Sequence, residues 1–170
     1  LIGRVANKYG VDPFVIVTIA GVESNYGIHH SQYSVFNALY SQIHEIPRRS
    51  KWATRELAEF IKYCYSDKLD TQEIGGSYAG AFGYGQFIPS SFNRYAVDFD
   101  GDGIRDIWQN PVDAIGSVAN YLSEHGWSSG QVVVRIDVED IDESIFNVSL
   151  KPNVTAADLE KFGISVAASG

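Results

Sequence analysis

The sequence predicts a mainly α chain of the α+β class: a helical body over residues 1–127 and a small mixed segment over 128–170, with no linker between them. Three observations predict it. Prolines stand where helices open, as in Asp12-Pro13 and Asn110-Pro111, because proline fits the first helical position and Asp or Asn caps it. Apolar residues recur at helical spacing, most clearly at Ala53, Leu57, Phe60, Ile61 and Cys64. After residue 127 the pattern changes to QVVVRIDV and SIFNVSL, which read as two strands.

The elements follow in order. LIGRVANKYG fits a short helix ended at Gly10. Asp12 caps the next helix, whose run FVIVTIAGVE is apolar on all sides; that pattern predicts a helix buried in the core. Residues 34–43 and 51–65 read as helices, the second carrying the stripe named above. Pro89 opens a short helix over 89–97. Asn110-Pro111 opens VDAIGSVANYLSEH, which Gly126 closes. Thr155 with Asp158 forms a capping box for a last short helix that stops at Gly163.

The chain has 170 residues, enough for one domain with a core; 45% are hydrophobic and 20% charged. Its net charge of −8 excludes a general binder of nucleic acid or anionic membrane. The stretch 48–55, RRSKWATR, is locally basic and leaves room for an anionic substrate. The single cysteine, Cys64, permits no internal disulfide. It lies on an apolar helix face and reads as a small buried hydrophobe. His29, His30, His44 and His125 have no metal-ligand spacing. No apolar run approaches the roughly 18–20 residues that cross a bilayer. The chain has no methionine and begins inside a helical pattern, so it reads as a piece of a longer protein. No organic cofactor is expected.

Three groups of residues carry chemistry. Glu23 ends a largely apolar helix, where desolvation and the negative end of the helix dipole favour a neutral acid. A protonated carboxyl is what a glycosidic oxygen needs as proton donor. The loop GSYAGAFGYGQFIPSS, 76–91, has four glycines in ten positions (76–85), which suits close backbone approach to a ligand. Its Tyr78, Phe82, Tyr84 and Phe87 have faces for stacking on sugars, and Ser77 and Gln86 have groups for hydroxyl or acetamido partners. The competing reading is a tight loop whose aromatics plug the core.

The third group is DFDGDGIRD. It sets Asp98, Asp100, Asp102 and Asp106 at positions 1, 3, 5 and 9 of an EF-hand-type loop, with Gly103 at the turn and the Ile104 carbonyl at position 7. Hard oxygens at this spacing suit Ca²⁺. Position 12 is Gln109, which cannot chelate as a carboxylate, so Asp113 is the nearest acid to close the sphere. Asp113 also sits three residues after Asn110, where it would serve as a helix cap.

Taken together, GVESNYG, PRRSKW, GSYAGAFGYGQFIPSSF, YAVDFDGDG and NPVDAIGSVANYLSEHGW resemble the B-type membrane-bound lytic murein transglycosylases, closely over 1–127 and more loosely over 128–163. The resemblance implies a lysozyme-like catalytic core that cleaves the β-1,4 bond between N-acetylmuramic acid and N-acetylglucosamine in peptidoglycan, leaving a 1,6-anhydro end. It implies Glu23 as the single catalytic acid/base, Ser77, Gln86 and Tyr121 along the glycan cleft, and Arg48 and Arg49 facing the peptide part of the murein. It implies a structural calcium in the loop 98–113 and work in the bacterial periplasm, with the parent protein tethered to the outer membrane. Family members continue into a tyrosine-rich closing segment that this chain lacks. Two alternatives stand beside it: a muramidase-type hydrolase, which needs a second acid in the cleft, and a non-catalytic, calcium-stabilised glycan-binding module.

Overall fold

The computed structural model describes residues 1–28, 32–127, 155–161 and 164. The chain divides into two compact units, Leu1–Ser129 and Gly130–Gly170. The runs QVVVRIDV and SIFNVSL lie outside the described residues, as do His29, His30 and the expected stop at Gly163.

In the first unit, helices α1 (Ile2–Tyr9), α2 (Pro13–Ser24), α3 (Val35–Glu45), α4 (Pro47–Asp67), α5 (Pro89–Tyr95) and α6 (Pro111–Glu124) surround one core. Four of them open on proline at the first turn. Asp12 accepts from Phe14 N at 2.7 Å, Ser34 from Asn37 N at 3.3 Å and Asn110 from Val112 N at 2.9 Å, which satisfies amides that the helix itself leaves unpaired. α3 and α4 are joined through Ile46 alone and pack together as a hairpin. α6 packs on α1 and α2, and α5 lies against α4 and α6. A two-stranded antiparallel sheet pairs β1 (Tyr33–Ser34) with β2 (Gly75–Gly76), Tyr33 opposite Gly76.

The core between α4, α5 and the glycine-rich loop is aromatic. Phe82 meets Phe92 at 5.3 Å and Phe60 at 6.1 Å between ring centroids, and Tyr63 meets Phe92 at 4.3 Å. Such pairs add packing energy beyond their buried area. Cys64 is buried, and burial pushes its thiol up to about 11. Burial also holds the Tyr63 phenol above its ordinary value.

Two expectations need correction. α2 is not buried all round: Ile16, Ala20 and Ser24 face inward, but Phe14 and Val22 are 80% and 78% exposed. A uniformly apolar sequence carries no periodic signal to say which face packs. Ile61, assigned to the α4 stripe, is likewise exposed, while Glu56 is buried in that helix.

In the second unit the described helix is α7 (Ala156–Lys161). Asp158 N donates to Thr155 Oγ1 at 3.2 Å and Thr155 N to Asp158 Oδ2 at 3.0 Å, the reciprocal cap that the sequence predicts. The Lys161 ammonium, 2.8 Å away, and the Thr155 hydroxyl hold Asp158 below the usual carboxylate range.

Candidate active site

Glu23 stands on the last turn of α2, and the sequence GVESNYG stops the helix there. Ser24 Oγ donates to Ala20 O at 2.9 Å and accepts from Gly27 N at 3.0 Å. Asn25 and Tyr26 then turn left-handed, with φ 48° and 57°, and Tyr26 N reaches back to Ala20 O at 3.2 Å. This closes the carbonyl end of the helix much as a Schellman turn does. The Tyr26 ring folds over Gly21, where a Cβ would stand 2.7 Å from it. The Tyr84 ring covers Gly27, which has φ 82° and whose Cβ would stand at 2.4 Å. Neither glycine tolerates a side chain without moving a ring, so both fix the turn that carries Glu23.

The glycine–aromatic loop supplies the opposite wall. Phe82 and Phe87 are both buried and pair through Phe82 N to Phe87 O at 2.9 Å and Phe87 N to Phe82 O at 3.0 Å. These two anchors pinch residues 83–86 into a tight turn. Gln86 sits there at φ 48°, its Nε2 donating to Gly83 O at 3.0 Å. One amide hydrogen and the amide oxygen remain for a ligand.

α2, this loop and α6 enclose a groove of about 400 Å³. Ile19 and Glu23 line it from α2, Gly85 to Ile88 from the loop, and Val118, Tyr121 and Leu122 from α6. Tyr121 is braced: its ring stacks on His125 at 3.9 Å and meets Tyr95 edge-on at 5.1 Å. Among the described residues lining the groove, Glu23 is the one carboxylate. The expectation of a sheltered Glu23 is corrected, since its residue is exposed. The apolar run before it packs only one face of α2, so solvent reaches the carboxyl at the groove mouth.

The remaining glycan-contact candidates lie elsewhere. Ser77 Oγ accepts from Ala81 N at 3.2 Å within its own turn, and Tyr84 packs on Gly27; neither lines the Glu23 groove. Arg48 and Arg49 lie on the first turn of α4, with the Arg49 guanidinium 4.3 Å from the centre of the Trp52 ring. Phe82 is a core anchor and Tyr78 is 74% exposed, whereas Phe87, though buried, does line the Glu23 groove.

The acidic loop gathers as its spacing predicts, up to a point. Carboxylate oxygens of Asp98, Asp100, Asp102 and Asp113 lie within 4.8 Å of one another. Gly101 N and Gly103 N donate to Asp98 at 2.6 and 2.8 Å, and the Gly103 amide first, then Gly101, holds it below its ordinary value. Asp113 is fully buried. It accepts from Phe99 N at 2.7 Å, Asp106 N at 3.0 Å and Asp100 N at 3.5 Å. Burial pushes it above the ordinary carboxylate value against the pull of those amides. It is therefore the buttress of the loop and does not cap α6, whose cap is Asn110. Asp106 stands outside the four-acid group, its Oδ1 taking amides from Trp108 and Gln109 at 3.0 and 2.8 Å. Ile104 N donates to Asp102 Oδ1 at 2.8 Å.

Sequence reasoning missed the apolar walls and one buried acid. Val118 and Leu122 stand at i−3 and i+1 from the expected Tyr121, a spacing that marks one face of α6. Glu56 falls three residues after Ala53, on the buried stripe of α4. Its carboxylate accepts from Ser90 N and Ser90 Oγ, both at 2.9 Å, and so caps α5 from another helix.

Comparison with known proteins finds relatives of this chain. Membrane-bound lytic murein transglycosylase B of Escherichia coli (strain K12) is 45% identical over 132 residues, which is 78% of this chain and 36% of that protein. The E. coli lytic transglycosylase Slt35 in complex with bulgecin A matches with a TM-score of 0.85 at 38% identity, covering 99% of this chain and 52% of that one. Slt35 in complex with calcium matches at 0.81 and 37%, covering 99% and 53%. SltB3 of Pseudomonas aeruginosa in complex with NAG-NAM-pentapeptide matches at 0.77 and 38%, covering 99% and 45%. The chain thus spans about a third of the curated relative and about half of these structures. The helical fold is the lysozyme-like one of the lytic transglycosylases. The model of the transglycosylase SLT domain matches residues 1–170, and the chain belongs to that family.

Proposed function

We propose that residues 1–127 form the catalytic core of a peptidoglycan lytic transglycosylase with Glu23 as its single acid/base. One observation carries this reading: among the described residues, Glu23 is the one carboxylate in a groove shared with Gln86 and Tyr121. The names of the relatives support murein as the substrate, and SltB3 is solved with NAG-NAM-pentapeptide.

Glycoside cleavage usually employs two carboxylates. With one, the substrate must supply the nucleophile. Glu23 gives its proton to the glycosidic oxygen as the bond from C1 to that oxygen breaks. The N-acetyl oxygen of the muramic residue bonds to C1 and yields an oxazolinium intermediate. Glu23, now a carboxylate, takes the proton of the 6-hydroxyl as O6 bonds to C1 and the acetyl oxygen leaves. No water is consumed, and the product ends in a 1,6-anhydro ring. Both attacks are intramolecular, where effective molarities are very large. A glycan laid in the groove removes solvent from Glu23, and Gln86 and Tyr121 hold the acetamido group and sugar face. Arg48 and Arg49 offer charge to an anionic peptide stem. Ser77 and Tyr84 act by fixing the loop and the Glu23 turn.

Calcium fits the acidic loop as a structural ion. Asp98, Asp100, Asp102 and Asp113 would hold it, since four carboxylates converge and the buried one gains a counter-charge. The proposed workplace is the bacterial periplasm, where murein lies. No helix among the described residues is long and apolar enough to cross a membrane.

The test is digestion of purified murein sacculi followed by mass spectrometry. Anhydro-ended fragments are expected from the native chain and none from Glu23→Gln. Reducing-end products would replace this reading with a muramidase. Glycan binding without turnover would replace it with a binding module.

A further inference from the structure

His125 does not line the Glu23 groove, but it is built against one of the groove's walls. It ends α6 at φ −95° and ψ 15°, where its amide donates to Tyr121 O and Leu122 O, both at 3.1 Å. Its ring folds back over the preceding turn, and Nδ1 stands 2.7 Å from Tyr121 O. A carbonyl oxygen only accepts, so Nδ1 carries the hydrogen and the tautomer is set. Turning the ring over would place a carbon at that oxygen. The imidazole therefore has one orientation. In it the ring lies on Tyr121, with centroids 3.9 Å apart and 25° between the planes. Tyr95 closes the cluster. Its ring meets His125 at 4.9 Å and Tyr121 edge-on at 5.1 Å, and its carbonyl accepts from Asn120 Nδ2 at 2.9 Å, which ties the end of α5 to α6. Phe87 meets Tyr121 edge-on at 5.7 Å from the glycine–aromatic loop.

We infer that His125 is a positioning residue for substrate binding, its carbonyl-locked ring holding the Tyr121 ring in the orientation that a sugar meets. The inference rests on the groove being the glycan site proposed above. His125 acts through Tyr121. A half-buried tyrosine on a groove wall can swing about its two side-chain torsions, and stopping that motion on binding costs affinity. His125 stops it in the free protein. The gain is the same for bound substrate and transition state, so it belongs in KM and not in kcat.

The test is steady-state cleavage of solubilised murein strands, together with titration of the ¹⁵N-labelled chain with chitotriose, read at Gln86. His125→Asn keeps a hydrogen-bonding side chain and removes the ring. His125→Phe keeps a ring and removes the hydrogen bond. His125→Asn is expected to raise KM and the chitotriose Kd by about two- to tenfold, with kcat changed by less than about twofold. His125→Phe should recover most of that loss. In a Tyr121→Leu background His125→Asn should have no further effect on the Kd, because its partner is gone. His125→Gln replaces the asparagine variant if urea unfolding shows that α6 is disturbed. An unchanged KM and Kd in His125→Asn overturn the role and leave the proposed function standing. So does an equal loss in the Asn and Phe variants, or a full effect of His125→Asn without Tyr121. A native chain that neither cleaves murein nor binds chitotriose overturns this role together with the glycan reading.

Discussion

Two acids at helix ends, Glu23 and Asp113, have opposite surroundings. Glu23 closes α2 and is exposed at a groove mouth. Asp113 begins α6, is fully buried and takes three backbone amides. The acid with partners organises a loop, whereas the acid at the groove is available for a substrate. Burial alone would have selected Asp113, whose oxygens already hold three amides. The useful distinction is whether a carboxylate's hydrogen-bonding capacity is already spent on the fold.

The sharpest way to break that contrast is to remove each acid in turn. Glu23→Gln should lower murein cleavage by about 10²- to 10⁴-fold, the usual weight of a positioned acid/base. Its urea midpoint should hardly move, because exposed substitutions stay within roughly ±0.5 kcal/mol. Asp113→Ala should do the reverse in kind. Stranding the amides of Phe99 and Asp106 should cost about 2–6 kcal/mol, at about 1–3 kcal/mol for each unsatisfied group, read by urea unfolding. If Glu23→Gln destabilises the chain as much as Asp113→Ala does, the contrast is false.

Calcium sharpens it further. An ion held at a hundred times its dissociation constant adds about 2.7 kcal/mol. For a chain of this size that is about 5–10 °C in Tm. Chelation should remove that gain from the native chain and have no effect on Asp113→Ala. An unchanged Tm on chelation of the native chain would show that the four-acid cluster holds no structural calcium.

What could be read from the sequence was local. Pro13, Pro89 and Pro111 open helices because proline suits only that position, and Asp12 and Asn110 cap theirs. The acid spacing of 98–102 gathers because a short loop with Gly101 and Gly103 can fold only so far. What could not be read depends on partners distant in sequence. Phe14 and Val22 stay exposed because the neighbours of α2 are on α1 and α6, which no residue of α2 encodes. The Gln42 amide is fixed by Tyr78, 36 residues away, and the Tyr84 ring lies on Gly27. Glycine-rich loops look alike whether their aromatics face a ligand or the core, and here Phe82 faces the core while Phe87, also buried, borders the groove.

Glu56 offers the smallest and most discriminating effect. It is buried and partnered like Asp113, but its bonds go to Ser90, 34 residues away, at the start of α5. That helix directly follows the loop bearing Gln86. Glu56→Ala should cost about 2 kcal/mol, the upper range for loss of a helix cap. Glu56→Gln should cost only about 1 kcal/mol. Its remaining oxygen can still accept from Ser90 N, and the Ser90 hydroxyl can rotate to accept from the new amide, so the main loss is negative charge at a helix N-terminus. Urea unfolding separates the two variants. If α5 fixes the Gln86 turn, Glu56→Gln should raise KM for murein fragments by about two- to threefold with kcat nearly unchanged, because a shift of that size corresponds to under 1 kcal/mol of uniform binding. A fall in kcat of tenfold or more at unaltered KM would instead tie Glu56 to the chemistry of Glu23 and erase the division between acids that build the fold and the acid that acts.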